Sequence, residues 1–127
     1  MRTHKGNLRY SFRLYIVVGG RRVLGKGGAQ ILEAVDRLGS ISAAASELQM
    51  SYRFVWNYIR RMEKRLGKQV IVTRRGGALH ERRKGGGGAE LTRIAKALLE
   101  DYTMTETQLQ NELASRRPRL RDRKRAD

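Results

Sequence analysis

The stretch from Ser40 to Leu66 constrains this chain more than any other, because it holds two helix patterns in immediate succession with room between them only for a turn. Ile41, Ala44, Ala45 and Leu48 make one apolar face of a short helix predicted from about Ser42 to Leu48. Ser40 and Ser42 are both suited to cap it, since a hydroxyl accepts from an otherwise unpaired helix N–H. The alanines are small enough to let a second helix cross closely. Gln49 and Met50 supply the turn, and Ser51 caps the next helix. In that helix Val55, Ile59, Met62 and Leu66 share a stripe, while Arg53, Asn57, Arg60 and Lys64 lie opposite, at roughly 100° per residue. One face can seal a core and the other presents cations and an amide. A helix built so is suited to lie in the major groove of DNA. The same pattern also fits the solvated face of an ordinary helical protein, so periodicity alone does not decide.

Charge narrows the choice. Lys and Arg number 28 against 12 acids, a formal net charge of +16 and a pI near 11.3 over 127 residues. Such an excess repels itself unless a polyanion neutralises it; nucleic acid is the commonest such partner and an anionic membrane surface the next. The length allows one domain with a modest core and an arm or tail. There is no cysteine, hence no disulfide framework and no thiolate metal site. The longest aliphatic-aromatic run, Leu14 to Val18, is far short of a membrane span, and no apolar signal segment follows Met1. The expectation is a soluble, cytoplasmic, nucleoid-associated protein without membrane contact.

Read in order, the chain alternates from Leu8 through Tyr10, Phe12, Leu14 and Ile16 to Val18, which predicts a half-buried strand. Gly19-Gly20 predicts a two-residue hairpin turn and Arg21 to Leu24 the short returning strand of a small exposed ribbon. Gly20 to Gly27 also spells a phosphate-loop pattern, G-x-x-x-x-G-K. It ends in Gly where Ser or Thr should hold Mg²⁺, and it sits in a hairpin; a glycine-rich connector is the better reading. A helix is predicted over about Gly28 to Leu38 from Ile31, Leu32, Val35 and Leu38, stopped by Gly39; Gly67 stops the helix-turn-helix pair.

Beyond it, Gln69 to Thr73 is a β-branched strand, and Ala89 to Thr92 a second, with Thr92 also capping the last helix. Between them the loop from Arg74 to Gly88 carries five cations and one acid. A basic loop joining two strands directly after such a helix is a wing, placed to reach phosphates or the minor groove. The final helix, about Thr92 to Ser115, has a seam of Leu91, Ile94, Ala95, Leu98, Tyr102, Leu109 and Leu113, interrupted at Thr103 to Thr105. It is longer than one small domain buries, which predicts pairing with a second copy of the chain through Leu91, Ala95, Leu98, Tyr102, Leu109 and Leu113. A dimer would set two such helices one duplex turn apart, roughly 34 Å. From Arg116 the composition shifts to seven cations and two acids, broken by Pro118, a disordered basic tail.

The expected fold class is therefore mainly α with a small β content (α+β). It is a winged helix-turn-helix with an N-terminal β-hairpin arm (1–25), a DNA-binding unit (26–92), a long C-terminal dimerisation helix (93–115) and the tail (116–127). In that order the residues resemble a known group. Gly39-Ser-Ile-Ser-Ala-Ala-Ala, Leu48, Met50-Ser51, Val55, Ile59, Met62-Glu63 and Leu66-Gly67 resemble the winged helix-turn-helix shared by LysR-type regulators and the molybdate-responsive ModE-type regulators. Ser51-Tyr52-Arg53 with Trp56, and the wing from Gly76-Gly77 through Gly85-Gly-Gly-Gly-Ala89-Glu-Leu-Thr92, resemble the second group more. The likeness covers about residues 26–102. Full molybdate regulators carry an oxyanion-binding region after the long helix, and this chain ends at Asp127, so the resemblance implies the DNA-binding half only, not molybdate sensing, and no small-molecule effector is indicated. Gln49 stands where many such turns have Gly.

By wheel position and by match, Arg53 is the first candidate for a base edge and Asn57 the second: Arg forks onto guanine O6/N7, Asn onto adenine N6/N7. Ser51 and its helix N-terminus suit a phosphate, as do Ser40 and Ser42 one helix earlier. Arg60, Arg61 and Lys64 suit the backbone; Tyr52 and Trp56 flank the stripe, as core edge or DNA contact. Arg74, Arg75, His80, Arg82, Arg83 and Lys84 are the wing contacts. No catalytic residue, metal site or cofactor is indicated: His4 and His80 are the only histidines, and His80 beside Glu81 forms neither a metal cluster nor a base–nucleophile pair. The reading is a sequence-specific, homodimeric, double-stranded-DNA-binding transcriptional regulator. Its rivals are a weakly specific architectural DNA-binding protein and an RNA-binding protein using Tyr10, Phe12 and Tyr15 as a platform.

Overall fold

Helix boundaries follow from cap chemistry. Ser40 Oγ accepts from the Ala43 N–H at 3.0 Å and Ser51 Oγ from Phe54 N–H at 3.0 Å, while Thr92 Oγ1 accepts from Ala95 N–H at 3.1 Å. Gly39 and Gly67 close their helices in the left-handed conformation. The computed structural model describes residues 7–74 and 87–121. Its elements run β1 (Ile16–Val18), β2 (Arg21–Leu24), α1 (Lys26–Leu38), α2 (Ile41–Leu48), α3 (Tyr52–Leu66), β3 (Ile71–Arg74), β4 (Gly88–Leu91) and α4 (Arg93–Ala114).

The N-terminal hairpin is shorter and less exposed than its alternation predicts. Gly19 and Gly20 take φ of +56° and +78°, the left-handed pair a tight hairpin turn needs. The ladder pairs Ile16 with Leu24, Val17 with Arg22 and Val18 with Arg21, with a bulge between Ile16 and Val17. Because β2 has only four residues, nothing pairs with the chain before Ile16, and the strand predicted from Leu8 reduces to Ile16–Val18. Leu8 and Tyr10 are exposed; Phe12 and Leu14 are half-buried. Tyr102 Oη on α4 donates to the Leu14 carbonyl at 2.9 Å and holds this segment in place. Val23 and Leu24 at the end of β2 are buried in the main core, so the returning strand is not the exposed ribbon expected of it. The phosphate-loop spelling proves to be the end of this hairpin and the start of α1, whose N-cap is Gly25.

One core joins all the elements. Ile31, Leu32, Ala34 and Val35 of α1 meet Ile41, Ala44 and Ala45 of α2 and Val55, Ile59 and Met62 of α3, and Val70, Ile71, Ala89, Leu91, Ala95 and Tyr102 close it. No polar or charged residue is buried among the described residues. The β3–β4 pair is antiparallel, Ile71 opposite Leu91 and Arg74 opposite Gly88. It is tied to the helices at its root. Ala89 N–H donates to the Gly39 carbonyl and Thr92 N–H to the Val70 carbonyl, both at 2.9 Å, and Thr92 Oγ1 donates to the Gln69 carbonyl at 2.8 Å. The wing residues Arg75, His80, Arg82, Arg83 and Lys84, and the tail beyond Arg121, lie outside the described residues.

Candidate nucleic-acid interface

The orientation of α3 is set from its inner side. Val55, Ile59 and Met62 are 0%, 1% and 1% exposed, so the helix cannot roll without opening the core. Arg53, Asn57, Arg60 and Lys64 consequently stand on the solvent side, all exposed. At the turn before it, Gln49 takes φ +59° in place of the more common glycine, and the Met50 N–H donates back to the Ala45 carbonyl at 2.9 Å. A non-glycine residue there is uncommon but within what a polar side chain tolerates.

Two aromatic rails run along the flanks of this face. On one, Tyr52 and Trp56 stack at 6.3 Å between centroids and 8° between planes, and the Arg60 guanidinium lies 4.9 Å over the Trp56 ring. Trp56 is half-buried at the core edge, whereas Tyr52 is exposed. On the other, Phe54 tilts against Tyr58, and the Arg61 guanidinium lies 5.2 Å over the Tyr58 ring. A guanidinium held over a ring is oriented without losing its charge. Arg60 also donates to Glu63 at 3.0 Å.

Glu63, whose role no sequence pattern reveals, is a structural joint. Its Oε2 accepts from the Val70 N–H at 2.9 Å and the Ile71 N–H at 3.2 Å, so the last turn of α3 fixes the start of β3 and with it the angle of the wing. Behind α3, Arg37 braces α1 to α2 by donating to Glu33 and Glu47. The hydrogen bond to Arg37 holds the Glu47 carboxyl below its ordinary range, and the same bonds raise Arg37.

Several predicted phosphate contacts are brought together. Ser40, Ser42, Tyr52 and Arg74 line one cleft of about 400 Å³ with Thr73, Gly87 and Gly88, where the starts of α2 and α3 meet the root of the wing. Ser40 Oγ and Ser51 Oγ accept from their helices, and each keeps a proton to donate outward. Thr73 was not foreseen; it belongs to the cleft because its partner strand β4 is tied to Gly39 just before α2, which no local pattern reveals. The seam on α4 is not brought together. Leu91, Ala95 and Tyr102 are buried in this chain's own core and are not open to a partner; Leu98 and Leu113 are half-buried, and Leu109 is exposed. Met104 and Ile94, exposed by 53% and 45%, are further apolar side chains of that helix that the chain leaves uncovered.

A helix-turn-helix with a cationic outer face on its second helix, followed by the two-stranded root of a wing, defines a winged helix-turn-helix DNA-binding domain. The family model of the bacterial regulatory helix-turn-helix proteins of the lysR family matches residues 28–96, more than half of the chain, and the chain belongs to that family. It carries the DNA-binding domain of a transcriptional regulator of this type. Among its relatives is the molybdenum-pterin-binding protein MopB of Rhodobacter capsulatus, 35% identical over 92 residues, which are 72% of this chain and 32% of that protein. The DNA-binding transcriptional dual regulator ModE of Escherichia coli K12 is 35% identical over 74 residues, 58% of this chain and 26% of the regulator. The chain thus spans less than a third of the length of these relatives. Among solved structures, ArgP from Mycobacterium tuberculosis aligns at TM-score 0.48 and 26% identity, covering 68% of this chain and 28% of that one. The DNA-binding domain in the CbnR–DNA complex aligns at 0.47 and 24%, covering 69% and 94%.

Proposed function

We propose that the chain binds double-stranded DNA sequence-specifically as a homodimer, with α3 in the major groove and the wing on the backbone or minor groove, and so regulates transcription. The observation that carries this reading is the division of α3: its apolar stripe is closed into the core while Arg53, Asn57, Arg60 and Lys64 all face outward. Arg53 and Asn57 would read base edges. Arg60, Arg61 and Lys64 would hold phosphates as the helix leaves the groove, with Ser40, Ser42, Ser51, Arg74 and the wing cations Arg75, Arg82, Arg83 and Lys84 beside them. His80 would extend the wing contact. Dimerisation is supported by Ile94 and Leu109, exposed apolar side chains that lie about 60° apart around the 22-residue helix α4.

Selection of duplexes from a random library, followed by fluorescence anisotropy at several salt concentrations, tests it. The expected result is a recovered motif with twofold symmetry and a selected-to-random affinity ratio of about 10³ or more. A ratio near one would establish the architectural reading instead, and structured RNA displacing the duplex would establish the RNA-binding one. Removing residues 116–127 should weaken all duplexes alike and flatten the salt slope, because that tail supplies charge without base contacts.

A further inference from the structure

We propose that Phe54 makes the first turn of α3 a reader of pyrimidine C5-methyl groups in the major groove; this rests on the reading of α3 as the helix that enters the duplex. Phe54 is 49% exposed. A single exposed apolar side chain needs no explanation by itself. Two observations set this one apart. First, it stands in the turn that Ser51 caps, next in sequence to Arg53 and three residues before Asn57, so it shares the helix end that carries both candidate base-reading side chains. Second, the ring is braced. It lies 6.1 Å from the Tyr58 ring at a tilt of 59°. Tyr58 in turn packs on the core, and the Arg61 guanidinium lies over its ring. An aromatic side chain with few rotatable bonds, backed by a fixed neighbour, loses little freedom when its open side meets a partner.

The chemistry of the groove names that partner. Donors and acceptors line the base edges, and the C5-methyl of thymine is the apolar group displayed among them. 5-Methylcytosine presents the same methyl at the same ring position, so the shared feature is the methyl group and the two bases are its possible sources. Phe54 would bury such a methyl against its ring while Arg53 and Asn57 hydrogen-bond to neighbouring edges. Specificity would then have an apolar component that neither of those residues supplies.

The experiment takes the duplexes selected with the full chain and replaces thymine by deoxyuridine one position at a time, which removes only the methyl. Wild type should bind about fourfold more weakly at one or two positions per half-site, the factor corresponding to one buried methyl-sized group. Phe54→Ala should be indifferent to the same replacements, and Phe54→Leu should retain part of the response. Because the side chain is half-exposed, both variants should melt as wild type does, which separates lost contact from lost fold. A second arm puts cytosine, then 5-methylcytosine, at the responsive position. Recovery of affinity on methylation in wild type alone shows that the methyl is read whichever base carries it. Recovery absent there, with the deoxyuridine response intact, assigns the source to thymine within its own base pair. Equal responses of wild type and Phe54→Ala, or none in either, overturn the proposal while leaving α3 as the reading helix, provided Arg53→Ala still alters the selected motif. Failure to recover any motif removes the sequence-specific reading and this proposal with it.

Discussion

Helices α3 and α4 carry apolar residues at the same three- and four-residue spacing, and the fold treats them differently. On α3, Val55, Ile59 and Met62 are closed into the core, and the opposite side is left entirely to cations and an amide. On α4 the seam divides: Leu91 just before it, with Ala95 and Tyr102, joins the core, and from Met104 onward the helix leaves it. Periodicity establishes that a helix has an apolar face. It does not establish which chain covers that face, because the covering surface comes from residues far away in sequence. On α3 the cover is this chain's own α1 and α2; on the second half of α4 the segment before β1 runs beside Glu106, Gln110 and Leu113, and Leu109 is left exposed.

The sharpest way to break this contrast is to hollow the inner side of α3. Ile59→Ala should cost about 2–5 kcal/mol in urea-induced unfolding, since it removes a fully buried side chain and leaves a cavity. A loss below about 1 kcal/mol would mean the helix is not locked, and its outer face would have no fixed direction. On the outer side, Arg53→Ala should leave stability within about 0.5 kcal/mol and remove about 1–3 kcal/mol of discrimination between selected and mismatched duplexes. A drop in affinity for all duplexes alike would move Arg53 from the bases to the backbone.

Tyr102→Phe probes the point where α4 still belongs to the core. Loss of its 2.9 Å bond to the Leu14 carbonyl should cost about 1 kcal/mol and expose the residues before β1 to proteolysis. Burial, reinforced by Glu106 and then by Tyr15 and Tyr58, raises the Tyr102 phenol above its ordinary 10.0. Its contribution is therefore complete below about pH 10 and falls as pH rises through the folded value. In an ultraviolet difference titration of wild type against Tyr102→Phe, the ionisation lost with the substitution should lie above pH 10.0. Past that point the comparison predicts the reverse behaviour. Leu109→Asp should change monomer stability by no more than about 0.5 kcal/mol yet shift the chain toward monomer in sedimentation equilibrium. A large loss of stability would show that the far half of α4 packs on its own chain after all.

Much of α1 to α3 was legible because local chemistry marks it: Ser40, Ser51 and Thr92 cap as their positions predict, and Gly39 and Gly67 end their helices. What failed depended on partners. Alternation from Leu8 to Val18 describes a strand, but a strand extends only as far as its neighbour, and β2 stops at four residues. Leu91, Ala95 and Tyr102 have the spacing of a dimer seam, and only the fold shows that α1 and the segment before β1 already pack against this part of the chain. Thr73 and Glu63 acquire their roles through contacts across chain reversals. Phe54 had a readable signal, a large apolar residue in the first turn of a cationic helix, but it lies on the flank of the wheel between the two faces and so was counted with neither.

Sequence-specific binding requires that the outer face of α3 meet the duplex. Isotope-labelled protein titrated with a selected duplex tests this directly, by following the Arg53 Nε–H and Asn57 side-chain amide signals in NMR spectra against backbone amides of α4. Large shifts at Arg53 and Asn57, with residues 104–114 unmoved in the dimer, are the predicted result. Shifts confined to the hairpin and α4, with Arg53 and Asn57 unmoved at saturation, would contradict it.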